Sequence, residues 1–289
     1  MRAARRDPTA AAGRLDDRTI LVTGATSGLG RHLALRLASA GARVLLHGRD
    51  PDRVHQTAET IRSTGGRAVE LVADLAELRQ VDALADRLLA GHDRLDAVVS
   101  NAGIGAGPPG AAREESADGI ELRFAVNHLA GYHLVRRLLP LLTTSAPARI
   151  VNVASLGQHP IPADDPLMER PGAYDGFTAY ARSKLAQVMF TFDLAAELHG
   201  HAVTANAVHP ATFMDTAMVR EAGVEPMSTV PEGANAVLRL VVSPTMREVT
   251  GRFFDGEHEA AAAGQAYDTD ARRRVRELSD RLIEQALAE

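Results

Sequence analysis

Short apolar runs and longer amphipathic stretches alternate along the chain from residue 19 onward. The apolar runs predict strands near 19–23, 43–47, 67–72, 96–100, 149–153, 202–208 and 251–254, and their character suits strands buried on both faces. Helical spacing predicts helices over 29–40, 51–63, 77–90, 114–142, 174–199, 231–242 and 269–287. This repeated strand-helix-strand order is that of crossover units, so the sheet should be parallel. Two segments break the alternation, one near 156–176, rich in Pro and Asp, and one over 210–230, holding Pro210, Gly223 and Pro226. Both read as loops, and each follows the carboxyl end of a strand, where open α/β sheets bind ligands.

Composition narrows the classes. With 289 residues and 45% hydrophobic content, residues 15–289 can bury one full α/β core, and no second domain is expected. A net charge of −5 leaves no basic footprint, so neither nucleic acid nor an anionic membrane is an expected partner. The absence of cysteine excludes disulfides and thiolate zinc sites. None of the eleven histidines falls in an H-E-x-x-H pattern, and no metal site is predicted. Residues 1–14 are rich in Arg and Ala, and although Arg5-Arg6 resembles an export signal, the apolar region that such a signal needs is missing. A disordered extension is expected there. No apolar run is long enough to span a bilayer, so a soluble, cytoplasmic protein is expected.

The candidate chemistry lies in two motifs. In Tyr180-Ala181-Arg182-Ser183-Lys184, a helix would put the phenol and the ammonium on one face, where the cation can favour the ionised phenol. Near the start, Thr23-Gly24-Ala25-Thr26-Ser27-Gly28-Leu29-Gly30 stands between an apolar strand and a helix, the setting of a nucleotide-binding turn. Gly24 permits the tight turn. Gly28 and Gly30 let backbone approach a pyrophosphate, with Thr26, Ser27 and Leu29 in the same turn and the helix N-terminus facing the phosphates. A glycine turn without ligand is the blander alternative. The predicted architecture is therefore a single Rossmann-like, doubly wound parallel sheet with helices on both faces.

A second cofactor clue is His47-Gly48-Arg49-Asp50 at the end of the second strand. NAD sites place an acidic side chain there for the ribose hydroxyl, which Gly48 cannot supply. Arg49 instead offers a guanidinium to a 2′-phosphate, so NADP(H) is expected in preference to NAD; an ordinary surface arginine is the alternative.

With these motifs the chain resembles the short-chain dehydrogenase/reductase family. The resemblance runs from about residue 17 to 255 and rests on five features in order: the glycine turn, Asn101-Ala102-Gly103, Asn127, Ser155 and Tyr180-x-x-x-Lys184. Val126-Asn127-His128-Leu129, the long spacer before Tyr180 and Ser183-Lys184-Leu185-Ala186 resemble the retinol-dehydrogenase-like branch and its bacterial relatives. The resemblance implies that Tyr180 exchanges the proton, Lys184 tunes it and binds the nicotinamide ribose, and Ser155 bonds the substrate oxygen. It further implies that Asn127 bends its helix to hold a proton-relay water. Asp74 and Leu75 would contact adenine, Asn101, Ala102 and Gly103 would line the dinucleotide channel, and Thr23 would brace that turn. Pro210, Phe213 and Thr216 would contact the cofactor from the later loop, although Pro210-Ala211 replaces the family's Pro-Gly and Thr216 stands one place late. Ser100 replaces the first Asn of the family's Asn-Asn-Ala-Gly.

The two loops contribute Leu156, Ile161, Leu167, Met168, Tyr174, Phe177, Phe213, Met214, Met218 and Met227, some to pack the loops and some to line a pocket for a small hydrophobic carbonyl or alcohol. The expected activity is NAD(P)-dependent hydride transfer to a ketone or aldehyde, or its reverse. A non-catalytic nucleotide-sensing protein on the same fold is the alternative, since fold does not fix function. The family's habit of pairing long central helices predicts a homo-oligomer, a dimer or tetramer.

Overall fold

The computed structural model describes residues 8–288. Its strands are β1 (Thr19–Val22), β2 (Arg43–Gly48), β3 (Arg67–Val72), β4 (Ala97–Ser100), β5 (Ala148–Val153), β6 (Val203–His209), β7 (Arg252–Asp255) and β8 (His258–Ala260). They form one sheet in the order β3-β2-β1-β4-β5-β6-β7-β8, parallel except for the antiparallel β7–β8 pair. The strand order reverses between β1 and β4, which leaves a crevice at the carboxyl ends of those two strands.

The helices are α1 (Pro8–Ala12), α2 (Gly28–Ser39), α3 (Pro51–Ser63), α4 (Leu78–Gly91), α5 (Ala130–Thr144), α6 (Gly176–Glu197), α7 (Ala217–Glu221), α8 (Val230–Val242) and α9 (Thr269–Ala288). Successive strand residues face opposite ways. Ile20, Val22, Val44, Leu46 and Val99 pack with α2, α3 and α8, while Leu21, Leu45, Val98 and Ile150 pack with α4, α5 and α6. This two-sided burial is why the strands read as continuous apolar runs.

Several elements differ from expectation. The helix foreseen over 114–142 begins only near Leu122, because Ser116 Oγ accepts the N–H groups of Asp118 and Ile120 and Gly119 turns back at φ 72°. Glu115 and Glu121 then pair as an isolated bridge. The same helix opens with a π-helical segment, Phe124–Leu129, before the regular α5. The loop 210–230 contains α7, and β8 is an added edge strand. Of the extension expected to be disordered, residues 1–7 lie outside the described residues, while Pro8–Ala12 is helical and Ala12 packs on the α2/α8 side of the core.

The helices expected to pair with a second copy are partly covered by their own chain. Helix α9 lies over them: His128 meets the Ser279 hydroxyl at 2.9 Å, Tyr132 donates to Asp280 at 2.6 Å and Arg272 pairs with Asp193 at 2.7 Å. Among the described residues, no helix is long and apolar enough to cross a membrane.

Candidate active site

The glycine turn leaves β1 at the sheet's switch point. Gly24 has φ 64°, and a Cβ there would lie 2.8 Å from the Ala102 Cα, so both the left-handed backbone and the close approach require glycine. Thr23 supports the facing segment: its hydroxyl accepts the N–H groups of Asn101 and Ala102 at 3.0 Å each and donates to the Val99 carbonyl at 3.3 Å. Asn101 returns its amide to the carbonyls of Thr23 and Gly24 at 2.9 and 3.3 Å. A Cβ on Gly30 would collide with the Gly24 carbonyl and the Asn101 amide, so the start of α2 sits directly against this turn.

The features fit a dinucleotide. The Ser27 side chain makes no cap at the N-terminus of α2, which leaves the first N–H groups of that helix available to an anion. The Thr216 side chain lies 3.2 Å from the Cβ position of Gly28 and so reaches the same turn from the later loop. Pro210 packs towards Gly233 of α8, and Phe213 is 44% exposed beside Met227. Asp74 is half-buried and accepts the Ala76 N–H at 2.9 Å, while Leu75 is 7% exposed and belongs largely to the core.

At the end of β2, Asp50 spends its carboxylate on the N-terminus of α3, accepting the N–H groups of Asp52 and Arg53 at 3.0 and 3.2 Å. Arg49 is exposed and makes no hydrogen bond or ion pair among the described residues. Gly48 is enclosed: a Cβ would lie 2.5 Å from Thr26 Cγ2 and 2.9 Å from Val54 Cγ2. The position is therefore closed to a carboxylate by packing as well as by sequence.

The residues expected to carry the acid/base chemistry lie on and around α6. Asp175 caps α6 by accepting the Thr178 N–H at 2.7 Å, and α6 carries Tyr180 and Lys184 one turn apart. The Lys184 Nζ stands 5.7 Å from the Tyr180 ring centre and donates to the Val153 carbonyl and Gln187 Oε1, both at 2.9 Å. A Cβ on Gly103 would be 3.4 Å from that Nζ and 3.1 Å from Asn127 Oδ1, so the Asn101-Ala102-Gly103 segment runs beside both groups. Asn127, in the π-helical segment, accepts the Ile104 N–H at 2.7 Å and donates to the Ile104 carbonyl and Ser183 Oγ at 3.1 and 2.9 Å. Ser155 is half-buried, its hydroxyl accepts the Gly157 N–H at 3.1 Å, and it also bears on the Tyr180 phenol.

Burial dominates the electrostatics. It lowers the Lys184 ammonium to about 7 and raises the Tyr180 phenol above its ordinary value, with the Ser155 hydroxyl acting in the opposite direction on Tyr180. The lowering of the phenol expected from Lys184 does not appear in the folded chain: burial raises the phenol against the Ser155 hydrogen bond, and burial also disfavours the cation that would favour the phenolate.

Of the loop residues expected to line a pocket, Ile161, Leu167 and Met168 are at most 7% exposed, and Ile161 and Leu167 pack in the core near α9. Leu156, Phe177, Phe213 and Met227 are 44–73% exposed, and Phe177 packs near Gly157, beside Ser155. Three residues to which the motifs assign no role also support the site. His47 accepts the Gly24 N–H at 3.4 Å and meets the Ala73 carbonyl at 3.1 Å, and burial holds it neutral with a pKa of about 4. Gln187 anchors Lys184, and Arg123 holds the loop after Gly103. The i+3 spacing of Gln187 from Lys184 was the one signal available in sequence.

This fold and this grouping of Asn, Ser, Tyr and Lys beside a glycine turn define a dinucleotide-dependent oxidoreductase, and the profile of the short chain dehydrogenase family matches residues 18–226. The chain belongs to that family. It is 34% identical over 300 residues to mouse retinol dehydrogenase 14, covering 94% of this chain and 87% of that protein. Among solved structures, an uncharacterised protein from Mycobacterium paratuberculosis superposes with a TM-score of 0.78 at 28% identity, over 96% and 97% of the two chains. A Beutenbergia cavernae protein described as an NAD(P) dependent gluconate 5-dehydrogenase, with NADP bound at low occupancy, gives 0.65 at 31% identity over 84% and 96%.

Proposed function

We propose that the chain catalyses NADP-dependent interconversion of a small hydrophobic carbonyl compound and its alcohol, with reduction by NADPH as the favoured direction. The observation that carries this reading is that Lys184 and Asn127 flank Gly103 while Ser155 bears on the Tyr180 phenol one helical turn from Lys184, together with the open N-terminus of α2 at the glycine turn.

A bound nicotinamide cofactor would supply the hydride that the carbonyl carbon accepts. Gly24, Thr26, Ser27, Gly28, Leu29 and Gly30 would cradle its pyrophosphate, with Thr216 closing the turn from above. Asp74 and Leu75 would border the adenine, and Asn101, Ala102 and Gly103 the channel to the nicotinamide; Pro210 and Phe213 would flank its far end. Tyr180 delivers the proton to the carbonyl oxygen, so one hydride and one proton complete the alcohol. Its raised pKa keeps the phenol protonated at neutral pH, the form that reduction needs. Ser155 donates to the same oxygen as charge develops on it. Lys184 holds the ribose through the N–H not committed to Val153 and Gln187, and Asn127 fixes the loop that flanks it.

Cofactor choice rests on Arg49, exposed and without a hydrogen bond or ion pair among the described residues, while the adjacent Asp50 is engaged in a helix cap. Apolar substrate follows from Leu156 and Phe177 beside Ser155. The test is oxidation of NADPH, against NADH, with a panel of hydrophobic aldehydes and ketones. Tight NADPH binding without turnover across the panel would favour a nucleotide-sensing role instead.

A further inference from the structure

Arg123 takes no part in the acid/base geometry, yet its side chain is only 3% exposed. It lies among three segments. Its Nε donates to the Gly105 carbonyl and its Nη2 to the Ala106 carbonyl, both at 3.2 Å, while its Nη1 donates to the Tyr174 hydroxyl at 2.8 Å. Its charge is balanced by Glu114 at 3.1 Å and by the buried Glu121 at 3.7 Å. The Tyr174 hydroxyl donates onward to Glu121 Oε1 at 3.2 Å, and Glu121 Oε2 accepts the Phe124 N–H at 2.7 Å. A buried arginine and glutamate with their hydrogen bonds filled in this way hold one arrangement, because breaking any link strands a desolvated partner.

The segments so joined frame the substrate side of the crevice. Gly105 and Ala106 directly follow Asn101-Ala102-Gly103 and Ile104, which Asn127 grips at both its N–H and its carbonyl. The Ala106 carbonyl lies against α6 so closely that a Cβ on Gly176 would collide with it. Gly176 and Tyr180 are four residues apart and share a helix face. On the other side, a Cβ on Gly105 would meet Met218 Cγ at 2.9 Å, so α7 leans on the same loop. The loop 104–106 is thus a wall between the helix of Tyr180 and α7.

We propose that the network of Arg123, Tyr174 and Glu121 is a specificity-determining lock that sets the width of the substrate cleft by fixing the loop 104–106 against the start of α6. This rests on the oxidoreductase reading above. Tyr174 links the insert before α6 to the lock through a single hydroxyl. Burial and Glu121 push that phenol up to about 12, so it remains a hydrogen-bond donor across the working range of pH.

The test compares wild type, Tyr174→Phe, Arg123→Lys and the double variant. Reduction of butanal, benzaldehyde and naphthaldehyde by NADPH is followed alongside NADPH binding, circular dichroism and hydrogen exchange of the peptides spanning 104–107 and 172–180. Tyr174→Phe should raise the kcat/KM ratio of naphthaldehyde to butanal by about five- to tenfold. NADPH affinity should stay within about twofold, since the lock touches no part of the turn that would hold phosphate. Both peptides should exchange faster, although only one carries the substitution. The double variant should match the larger single effect, as expected of two residues in one network. An unchanged substrate ratio in folded Tyr174→Phe, or faster exchange confined to 172–180, would overturn the lock. A wild type inactive on all three aldehydes would instead count against the carbonyl reading, and the exchange data would still decide whether the two segments are coupled.

Discussion

The Thr23 hydroxyl and the Asn101 backbone meet at 3.0 Å, and the same oxygen takes the next N–H, that of Ala102, at the same distance. One buried atom therefore ties the end of β1 to the segment that passes Lys184 and Asn127.

Thr23→Val keeps the shape and removes the acceptor. Stranding a buried N–H costs about 1–3 kcal/mol, so chemical denaturation should show a loss of that order. NADPH affinity should fall as well, because the glycine turn and the facing segment lose their shared support. A valine variant with unchanged midpoint and affinity would mean that water replaces the hydroxyl.

Tyr180→Phe should abolish most turnover while NADPH still binds, since only the acid/base hydroxyl is lost. Fluorescence titration with NADPH and steady-state rates on one verified carbonyl separate the two effects. Near-normal turnover would remove Tyr180 from the acid/base role.

Arg49→Ala should reduce the preference for NADP over NAD by about one to two powers of ten, the equivalent of roughly 1.5–3 kcal/mol for a charge-assisted contact. The ratio of kcat/KM for the two cofactors measures it. Gly48→Asp, which in an open site would favour NAD, should instead destabilise the fold, because its Cβ would press on Thr26 and Val54. A wild type that prefers NAD would show that Arg49 does not read the phosphate.

Lys184 predicts a pH signature of stability. Burial lowers its pKa from 10.5 to about 7, so the unfolded chain binds the proton more tightly and stability rises with pH across that window. Below about 7 both states are protonated and this contribution flattens. Lys184→Met should remove that slope in denaturation curves taken over the window. A slope identical in wild type and variant would show that Lys184 is solvated in the folded chain.

Phe177 is 51% exposed near Ser155, whereas Ile161 and Leu167 pack in the core. Phe177→Ala should raise KM for aromatic aldehydes by about tenfold with little change in thermal midpoint, and Leu167→Ala should lower the midpoint instead. Equal effects of the two on KM would argue against this division of the insert.

The sheet, the glycine turn and the Tyr-Lys pair were legible because each depends on local pattern: apolar runs for two-sided burial, glycines where backbone must pass, and i,i+4 spacing on one helix. Resemblance to the family, rather than local pattern, singled out Asn127 and Ser155, and the position after the second strand singled out Arg49. Which of them meet was decided by tertiary structure. Gly103 lies beside Lys184 and Asn127 only because β4, the π-helical segment and α6 converge. The Tyr180 phenol is raised rather than lowered because burial, a property of the whole packed domain, outweighs the Ser155 hydrogen bond. Ile161 and Phe177 are both apolar residues of one insert, yet the packing near α9 buries the first and leaves the second exposed. Arg123 and Tyr174, fifty-one residues apart, carry no shared local signal, and their bond exists only once the two chain segments fold together.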